Sequence, residues 1–178
     1  MTELNYIKLE FPSKSTNEGF ARSAAAAFAA QLDPTMEELG DIKTAVSEAV
    51  TNAIVHAYPE TIGRVSMRLR ILEGQVLEIS VKDWGCGIAD VEQAMQPLYT
   101  TGGEDRSGMG FTIIGSFMDK LRVRSKPGKG TTVVMRRRIC PRIGSWVMHL
   151  APQSRVLSVA FKYSGLWWKA MAICFCRL

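Results

Sequence analysis

The sequence predicts a single α/β domain over residues 1–139, followed by a segment of different composition over residues 140–178. Two observations predict this fold class. Apolar residues recur at steps of three and four within residues 15–32 and again within 41–58, as in helices packed on one face. Four later runs alternate apolar and polar residues, as half-buried strands do. A chain of 178 residues, 47% of them hydrophobic, is long enough for one sizeable core.

The first elements are a strand and a helix. Residues Asn5 to Phe11 alternate and predict the strand. Ser15 and Glu18 have the spacing of a capping box, which predicts that the first helix begins there. Asp33-Pro34 is predicted to end this helical region. Its inward stripe is predicted from apolar spacing to be Phe20, Ala24, Ala27, Phe28 and Leu32.

A second helix is predicted over Asp41–Tyr58, with Ile42, Val46, Ala49, Ala53 and Ala57 facing inward. Glu48 and Asn52 stand four residues apart, so their side chains project from consecutive turns on one face. An amide oxygen suits a Mg²⁺ ion shared with nucleotide phosphates, and a nearby carboxylate can take a proton from an attacking hydroxyl or water. Taken alone, such a pair is also typical of an ordinary solvated helix surface.

The alternating runs predict two hairpins. Arg64–Leu72 and Gln75–Lys82 are separated by Glu73-Gly74, which is typical of antiparallel strands joined by a tight turn. Leu121–Arg124 and Thr131–Arg138 flank a second turn rich in glycine and lysine.

The segment Asp83–Ile88, reading DWGCGI, follows the first hairpin directly. Gly85 and Gly87 allow the backbone to turn sharply and to approach a flat ligand. The carboxylate of Asp83, at a strand end, can accept a hydrogen bond from an amino group such as that of adenine. By itself the pattern also occurs in simple turns.

A polar segment without periodicity, Gln96–Ser107, predicts a loop or lid. Gly108 and Gly110 then open another helix, where phosphate oxygens can approach free backbone N–H groups and the positive end of the helix dipole. Arg106 precedes this helix and is placed to meet phosphate charge. A glycine-rich helix start beside a surface arginine remains the structural alternative.

Composition disfavours several classes of protein. Residues 1–139 hold 17 acidic and 17 basic residues, so the net charge of +5 comes from residues 140–178. With a neutral body and no basic stripe expected, direct nucleic-acid binding is disfavoured. The N-terminal residues lack the apolar core of a signal peptide. The four cysteines fit neither a disulfide framework nor a four-ligand zinc site, so we expect reduced thiols and a cytoplasmic location.

Residues 140–178 contain three of the four tryptophans, three of the four cysteines and no acidic residue. Two hypotheses remain open for this segment: an out-of-frame or readthrough extension that does not pack, or an interfacial segment with tryptophan and lysine at a membrane surface. The abrupt change in composition favours the first. The longest apolar run, around residues 165–176, is broken by Lys169 and is short for a membrane span.

Four weak patterns follow one another in a fixed order: Glu48 with Asn52 on a helix, Asp83-x-Gly85-x-Gly87, a lid with Arg106 and Gly108-x-Gly110, and Thr131-Thr132 opening a late strand. Together they resemble the Bergerat (GHKL) ATP-binding fold of histidine kinases, gyrase and MutL-type ATPases. The segments SEAVTNAIVHAY, QLDPTMEEL, QPLYTT and SGMGFTI narrow the resemblance to the anti-sigma F factors of endospore-forming bacteria, serine kinases of that fold, over residues 3–138. The resemblance implies a two-layer sandwich, with one mixed or antiparallel sheet covered by helices on one face.

The resemblance also implies roles for single residues. Glu48 is implied as the base acting on a substrate serine, Asn52 as the Mg²⁺ ligand, and Arg22 on the first helix as a partner contact. Further ATP-binding positions are implied by the motifs: Asp83, Gly85, Gly87 and Thr132 around adenine, Thr100 and Thr101 at the lid hinge, and Arg106, Gly108, Met109 and Gly110 around the phosphates.

The function that the resemblance implies is a protein serine/threonine kinase, a homodimer that uses ATP and Mg²⁺. It holds sporulation sigma factor F inactive and phosphorylates a serine of its anti-anti-sigma factor, without direct nucleic-acid or membrane binding by residues 1–139. Two alternatives stay open: a general-stress anti-sigma kinase, and a non-catalytic, nucleotide-dependent sigma-binding module. Autophosphorylation on histidine is disfavoured because the chain has two histidines, His56 and His149, and no separate dimerisation helix around them.

Overall fold

The computed structural model describes residues 1–96 and 109–140. The predicted lid positions Thr100, Thr101, Arg106 and Gly108 lie outside the described residues, as does the segment 141–178. Along the described chain the elements are β1 (Glu3–Pro12), α1 (Thr16–Ala29), α2 (Met36–Val55), β2 (Arg64–Leu72), β3 (Val76–Asp83), α3 (Val91–Ala94), α4 (Gly110–Phe117), β4 (Lys120–Lys126) and β5 (Gly130–Arg138). A short 3-10 turn, Ala30–Leu32, extends α1.

The five strands form one sheet in the order β1-β2-β3-β5-β4. Each of its four pairings is antiparallel, so of the two predicted arrangements the antiparallel one is correct and the mixed one is wrong. Both predicted hairpins, β2 with β3 and β4 with β5, are confirmed. The first hairpin turns through Gly74 and Gln75, whose φ angles are both positive.

The core lies between the sheet and the helices, which confirms the predicted α/β sandwich. The predicted inward stripe of α2 is confirmed, because Ile42, Val46, Ala49, Ala53 and Ala57 are all buried. The first four of these residues pack with the inward side chains of the central strands, among them Met67, Leu69, Leu77, Ile79, Val81 and Met135. Ala57 lies beyond the end of α2, which is at Val55 and not at the predicted Tyr58. Alternation along each strand leaves the opposite face of the sheet outside this core.

The predicted capping box at Ser15 is wrong. The side chain of Ser15 makes no capping hydrogen bond, and Glu18 instead accepts one from the Ser47 hydroxyl at 2.6 Å. A capping box forms at Thr35 and Glu38, where Glu38 N–H donates to Thr35 Oγ1 at 3.1 Å and Thr35 N–H donates to Glu38 Oε2 at 2.8 Å. This cap explains why α2 begins at Met36, earlier than the predicted Asp41.

The predicted inward stripe of α1 is also displaced around the helix. Phe28 and Leu32 are buried as predicted, but Phe20 is 59% exposed, Ala27 is exposed and Ala24 is only partly buried. Ala21 and Ala25, which were not in the predicted stripe, are buried instead. Alanine at positions 21 and 25 permits close approach of α1 to its neighbours, which a phenylalanine there would prevent.

The outer face of the sheet carries a row of basic residues that contradicts the expected absence of a basic stripe. The side chains of Lys120, Arg122, Arg124 and Lys126 are exposed at every second position of β4. Within residues 1–96 and 109–140, no helix is long and apolar enough to span a membrane.

Candidate functional site

A cavity of about 560 Å³ opens between α2, the end of β3, the loop after it, α3 and the start of α4. Glu48, Asn52, Asp83, Gly87, Met109 and Gly110 are among its lining residues. The cavity therefore brings together residues that are far apart in the chain and that the sequence analysis singled out for one site. Its size is within the range of small-molecule and cofactor sites.

Glu48 and Asn52 meet the first residue of α4. A Cβ atom placed on Gly110 would lie 3.0 Å from Asn52 Nδ2, 3.3 Å from Asn52 Oδ1 and 3.3 Å from Glu48 Oε2. The two α2 side chains therefore share one face, as predicted, and both reach the beginning of α4. Glycine at position 110 lets α4 start close to them. The carboxylate, the carboxamide and the helix start thus form one end of the cavity.

Asp83 lies in another part of the cavity wall, at the end of β3. Its side chain is 4% exposed, and Oδ1 accepts hydrogen bonds from the backbone N–H groups of Gly85 and Thr131, both at 3.0 Å. Burial raises the pKa of this carboxyl, and the two backbone donors act in the opposite direction. A buried carboxyl fixed by two amides is well oriented to accept a hydrogen bond from a ligand amine.

The two glycines after Asp83 have different positions. A Cβ on Gly85 would lie 2.0 Å from the Ala57 carbonyl oxygen, so this glycine allows the loop to pack against the end of α2. It does not line the cavity in the described structure. Gly87 does line it, has φ +72°, and a Cβ there would lie 2.2 Å from the Lys126 carbonyl oxygen. The loop is therefore held between α2 and the β4–β5 turn.

Thr132, predicted at the adenine end, is not among the cavity-lining residues, whereas its neighbour Thr131 is. Successive strand residues point to opposite faces of the sheet, and Thr131 and Val133 of β5 face the cavity. The hydroxyl of Thr131 lies 2.8 Å from that of Ser125, and its N–H donates to Asp83. Thr131 therefore replaces Thr132 in the candidate site.

Comparison with known protein families matches residues 11–137 to the histidine kinase-like ATPase domain. The anti-sigma F factor of Caldanaerobacter subterraneus subsp. tengcongensis is 61% identical over 132 residues, which cover 74% of this chain and 92% of the relative. The anti-sigma F factor of Pasteuria penetrans is 58% identical over 133 residues, covering 74% of this chain and 89% of the relative. The chain belongs to the anti-sigma F factor family.

Among solved structures, the RsbU and RsbW domains of a Mycobacterium tuberculosis protein match this anti-sigma F family member with a TM-score of 0.55 and 17% identity. The match covers 76% of this chain and 32% of that one. At this identity the likeness concerns the fold, which is that of a histidine kinase-like ATPase domain. ATP is accordingly the ligand expected in the cavity of this family member.

The apolar part of the cavity was not predicted from the sequence. It is lined by Ile88, Ala89, Ala94, Val81 and Val133. These side chains come from two strands, from α3 and from the loop before α3, and follow no local pattern. Only the fold reveals that they face one cavity. His56 also lines the cavity, and its carbonyl oxygen accepts a hydrogen bond from the Cys86 thiol at 2.9 Å.

Arg22 lies outside this cavity, beside a second and smaller cleft between α1 and α2. Arg22, Ser23, Lys43, Thr44, Ser47 and Glu48 line the cleft. Arg22 Nε is 3.7 Å from Glu18 Oε1, and both side chains are partly exposed. Glu48 borders the cleft as well as the larger cavity, so the predicted partner contact and the predicted base lie on neighbouring surfaces of this family member.

Within the described residues no group of three or more histidine, cysteine, aspartate or glutamate side chains converges on a possible metal position. The carboxamide oxygen of Asn52 and the carboxylate of Glu48 are oxygen donors, the kind of ligand that hard cations such as Mg²⁺ take.

Proposed function

We propose that this chain is an anti-sigma factor that binds and inhibits sporulation sigma factor F, and that phosphorylates a serine of its anti-anti-sigma factor with ATP. The observation that carries this proposal is the convergence of Glu48, Asn52 and the start of α4 at one end of a cavity whose wall also includes Asp83. Membership of the anti-sigma F factor family supplies the class of partner.

In this proposal adenine lies toward Asp83 and the phosphates lie toward α4. Asp83 accepts a hydrogen bond from the adenine amine, beside Gly87 and Thr131. The free N–H groups at the start of α4, together with Met109 and Gly110, approach phosphate oxygens at the positive end of the helix dipole. The lid residues Thr100, Thr101, Arg106 and Gly108 complete the phosphate site in the proposal.

Asn52 would hold Mg²⁺ through its carboxamide oxygen, and the ion would neutralise phosphate charge. Glu48 is half-buried and reaches the same end of the cavity. It accepts the proton of the substrate serine hydroxyl and orients that oxygen toward the terminal phosphate. Since phosphoryl transfer depends mainly on positioning and charge neutralisation, these residues supply what the reaction requires.

The cleft beside Glu48 gives the partner proteins access to this end of the cavity. Arg22 is half-exposed at the border of the cleft, and we propose that it contacts both the sigma factor and the anti-anti-sigma factor. The protein acts as a homodimer in the cytoplasm, with residues 1–139 as the kinase domain.

A phosphotransfer assay tests the proposal. The full chain is incubated with labelled ATP, Mg²⁺ and a cognate anti-anti-sigma protein, and phosphoserine on that protein is quantified. We expect Glu48→Gln to lower the transfer rate by about 10²- to 10⁴-fold while ATP still binds, because the proton acceptor is lost but the cavity remains. Glu37→Gln, an exposed carboxylate of the same helix, is the matched control and should leave the rate unchanged.

Two results would contradict the proposal in different ways. Transfer at the unaltered rate by Glu48→Gln would exclude Glu48 as the base. An unaltered chain that binds ATP and captures a sigma factor, but transfers no phosphate, would support the non-catalytic binding module instead.

A further inference from the structure

The outer face of the sheet, opposite the helices, has one half in which every cation is paired with an acid. On β1 and β2, Lys8 Nζ is 2.7 Å from Glu10 Oε1, and Arg68 Nη2 is 3.0 Å from Glu3 Oε2. The other two basic residues of these strands, Arg64 and Arg70, also lie within ion-pair distance of a carboxylate. The cations of this half are therefore already engaged with acids of the same chain.

Glu78 of β3 lies at the boundary of the half with paired cations. Its side chain is 3% exposed and accepts hydrogen bonds from Arg70 Nε at 2.8 Å and Arg136 Nε at 2.5 Å. Burial opposes ionisation of this carboxyl, but the two arginine donors outweigh burial and lower its pKa. The charge of Glu78 is therefore paired with Arg70 and Arg136, and it does not neutralise the cations of β4.

Strand β4 carries the other half of the face. Four exposed cations occupy alternate positions of this strand and are called the basic row here: Lys120, Arg122, Arg124 and Lys126. Among the described residues, none of the four forms an ion pair, and the β5 residues opposite them include no acid. The adjacent Asp119 accepts a hydrogen bond from the Arg138 N–H at 2.7 Å. At a strand rise of about 3.3 Å, the row places a cation about every 7 Å over about 20 Å.

The same strand is an edge of the sheet. It pairs with β5 on one side, and within residues 1–96 and 109–140 no strand pairs with it on the other. An edge strand presents backbone donors and acceptors on which a further strand can pair. Along this edge of β4, the backbone groups that point away from β5 and the cations of the basic row therefore both recur at every second residue.

We propose that β4 docks an extended acidic segment of a partner protein, which adds to the sheet as a sixth strand with a carboxylate at every second residue. An added strand has the same side-chain period as the basic row, so each carboxylate faces a cation about 5 Å away. A nucleic acid would use the cations but leave the strand edge unused. Residues 140–178 contain no acid, so the chain's own C-terminal segment is not this occupant.

This surface goes beyond the proposed kinase function. The basic row points away from the helices, whereas the cavity lies between the sheet and the helices. Binding at β4 is thus measurable without ATP or phosphotransfer, and failure of either proposal does not affect the other.

Fluorescence anisotropy of the full chain with a labelled synthetic peptide tests the inference. The peptide alternates glutamate and threonine and is long enough to span β4. Three further probes are compared: a peptide of the same composition with its glutamates in one block, the alternating peptide with N-methyl groups on alternate amides, and a single-stranded oligothymidylate. We expect the alternating peptide to bind most tightly, because it alone matches both the cations and the backbone of the edge.

The variant Arg122→Glu/Arg124→Glu should weaken binding of the alternating peptide by about tenfold or more, since two favourable cross-strand pairs become repulsive. Lys8→Glu/Lys14→Glu changes the net charge equally at exposed positions outside the basic row and should leave binding within about twofold. Thermal unfolding of both variants checks that the fold is retained.

Four results would overturn the inference. Equal weakening in both double variants would indicate general charge attraction. Equal binding of the N-methylated or block peptide would exclude strand addition. Tighter binding of the oligothymidylate, lost in Arg122→Glu/Arg124→Glu, would assign the row to nucleic acid. Binding of none of the probes would leave the row with the role of protecting a sheet edge from aggregation.

Discussion

At the scale of single residues, the candidate site depends on where two carboxylates lie. Asp83 is buried in the cavity wall, whereas Glu48 is half-buried where the cavity meets the cleft. This difference matches the two proposed tasks. A buried carboxyl recognises a fixed part of the ligand, and a more accessible one receives a hydroxyl from a second protein.

The substitution Asp83→Asn tests recognition of the nucleotide. A hydrogen bond to a charged group is worth about 1.5–3 kcal/mol, so we expect ATP affinity to fall by about 10- to 100-fold. Isothermal titration calorimetry measures this loss. Asp90→Asn is a suitable control, since Asp90 also lines the cavity but serves as the N-cap of α3, where asparagine caps equally well.

The stability of the same variant should depend on pH in a defined direction. The folded pKa of Asp83 is raised, so folding favours its protonated form, and this contribution is lost as the pH rises through the raised pKa. At neutral pH, Asp83→Asn should therefore be as stable as the unaltered chain or more stable. The difference in stability between the two chains should shrink at about pH 4. Thermal unfolding at both pH values checks this. A variant that is less stable at neutral pH would show that the charge of Asp83 is needed by the fold.

At the scale of secondary-structure elements, the sequence contains two capping boxes, and only one forms. Thr35→Ala should lower the free energy of unfolding by about 1 kcal/mol, because Glu38 N–H loses its acceptor at the start of α2. Ser15→Ala is the matched control and should change stability by less than about 0.5 kcal/mol, since its side chain makes no capping bond. Urea unfolding of the two variants decides between the sites; equal losses would contradict the structural assignment.

These elements also show what the sequence predicts well. Both hairpins and the buried stripe of α2 were predicted because the period of apolar residues within an element is set by which face is buried. The start of α2 was missed because it was placed by apolar spacing, which does not include the polar first turn after the Thr35 cap. The Ser15-x-x-Glu18 pattern looks like a capping box in sequence, but in the structure Glu18 accepts its hydrogen bond from Ser47.

The candidate site was predicted in part for a related reason. Glu48 with Asn52, and Asp83 with Gly87, are local patterns, and each lies within a few consecutive residues of the chain. The choice between Thr131 and Thr132 depends on the register of β5, in which a shift of one residue reverses the face. The apolar wall comes from two strands, a helix and a loop, so no local pattern reveals it.

At the scale of the whole molecule, the folded domain is fixed at its C-terminal side by one residue beyond β5. Ile139 is fully buried, and its N–H donates to the Gln75 carbonyl oxygen at 2.9 Å. Cys140 is exposed. Within the described residues Ile139 is the last core side chain along the chain. The domain boundary between residues 139 and 140 remains a prediction.

Two truncated chains test this boundary. We expect residues 1–140 to fold and bind ATP, because every core side chain named above is retained. Residues 1–138 should be less stable by about 2–5 kcal/mol, because removal of a buried isoleucine leaves a cavity in the core and Gln75 loses its backbone partner. Ile139→Ala in the chain of residues 1–140 separates the side-chain part of that loss from the backbone part. Chemical unfolding gives the free energies, and calorimetry gives ATP binding. If residues 1–140 fail to fold while the full chain folds, the segment 141–178 contributes to the domain, and the boundary at 139 is wrong.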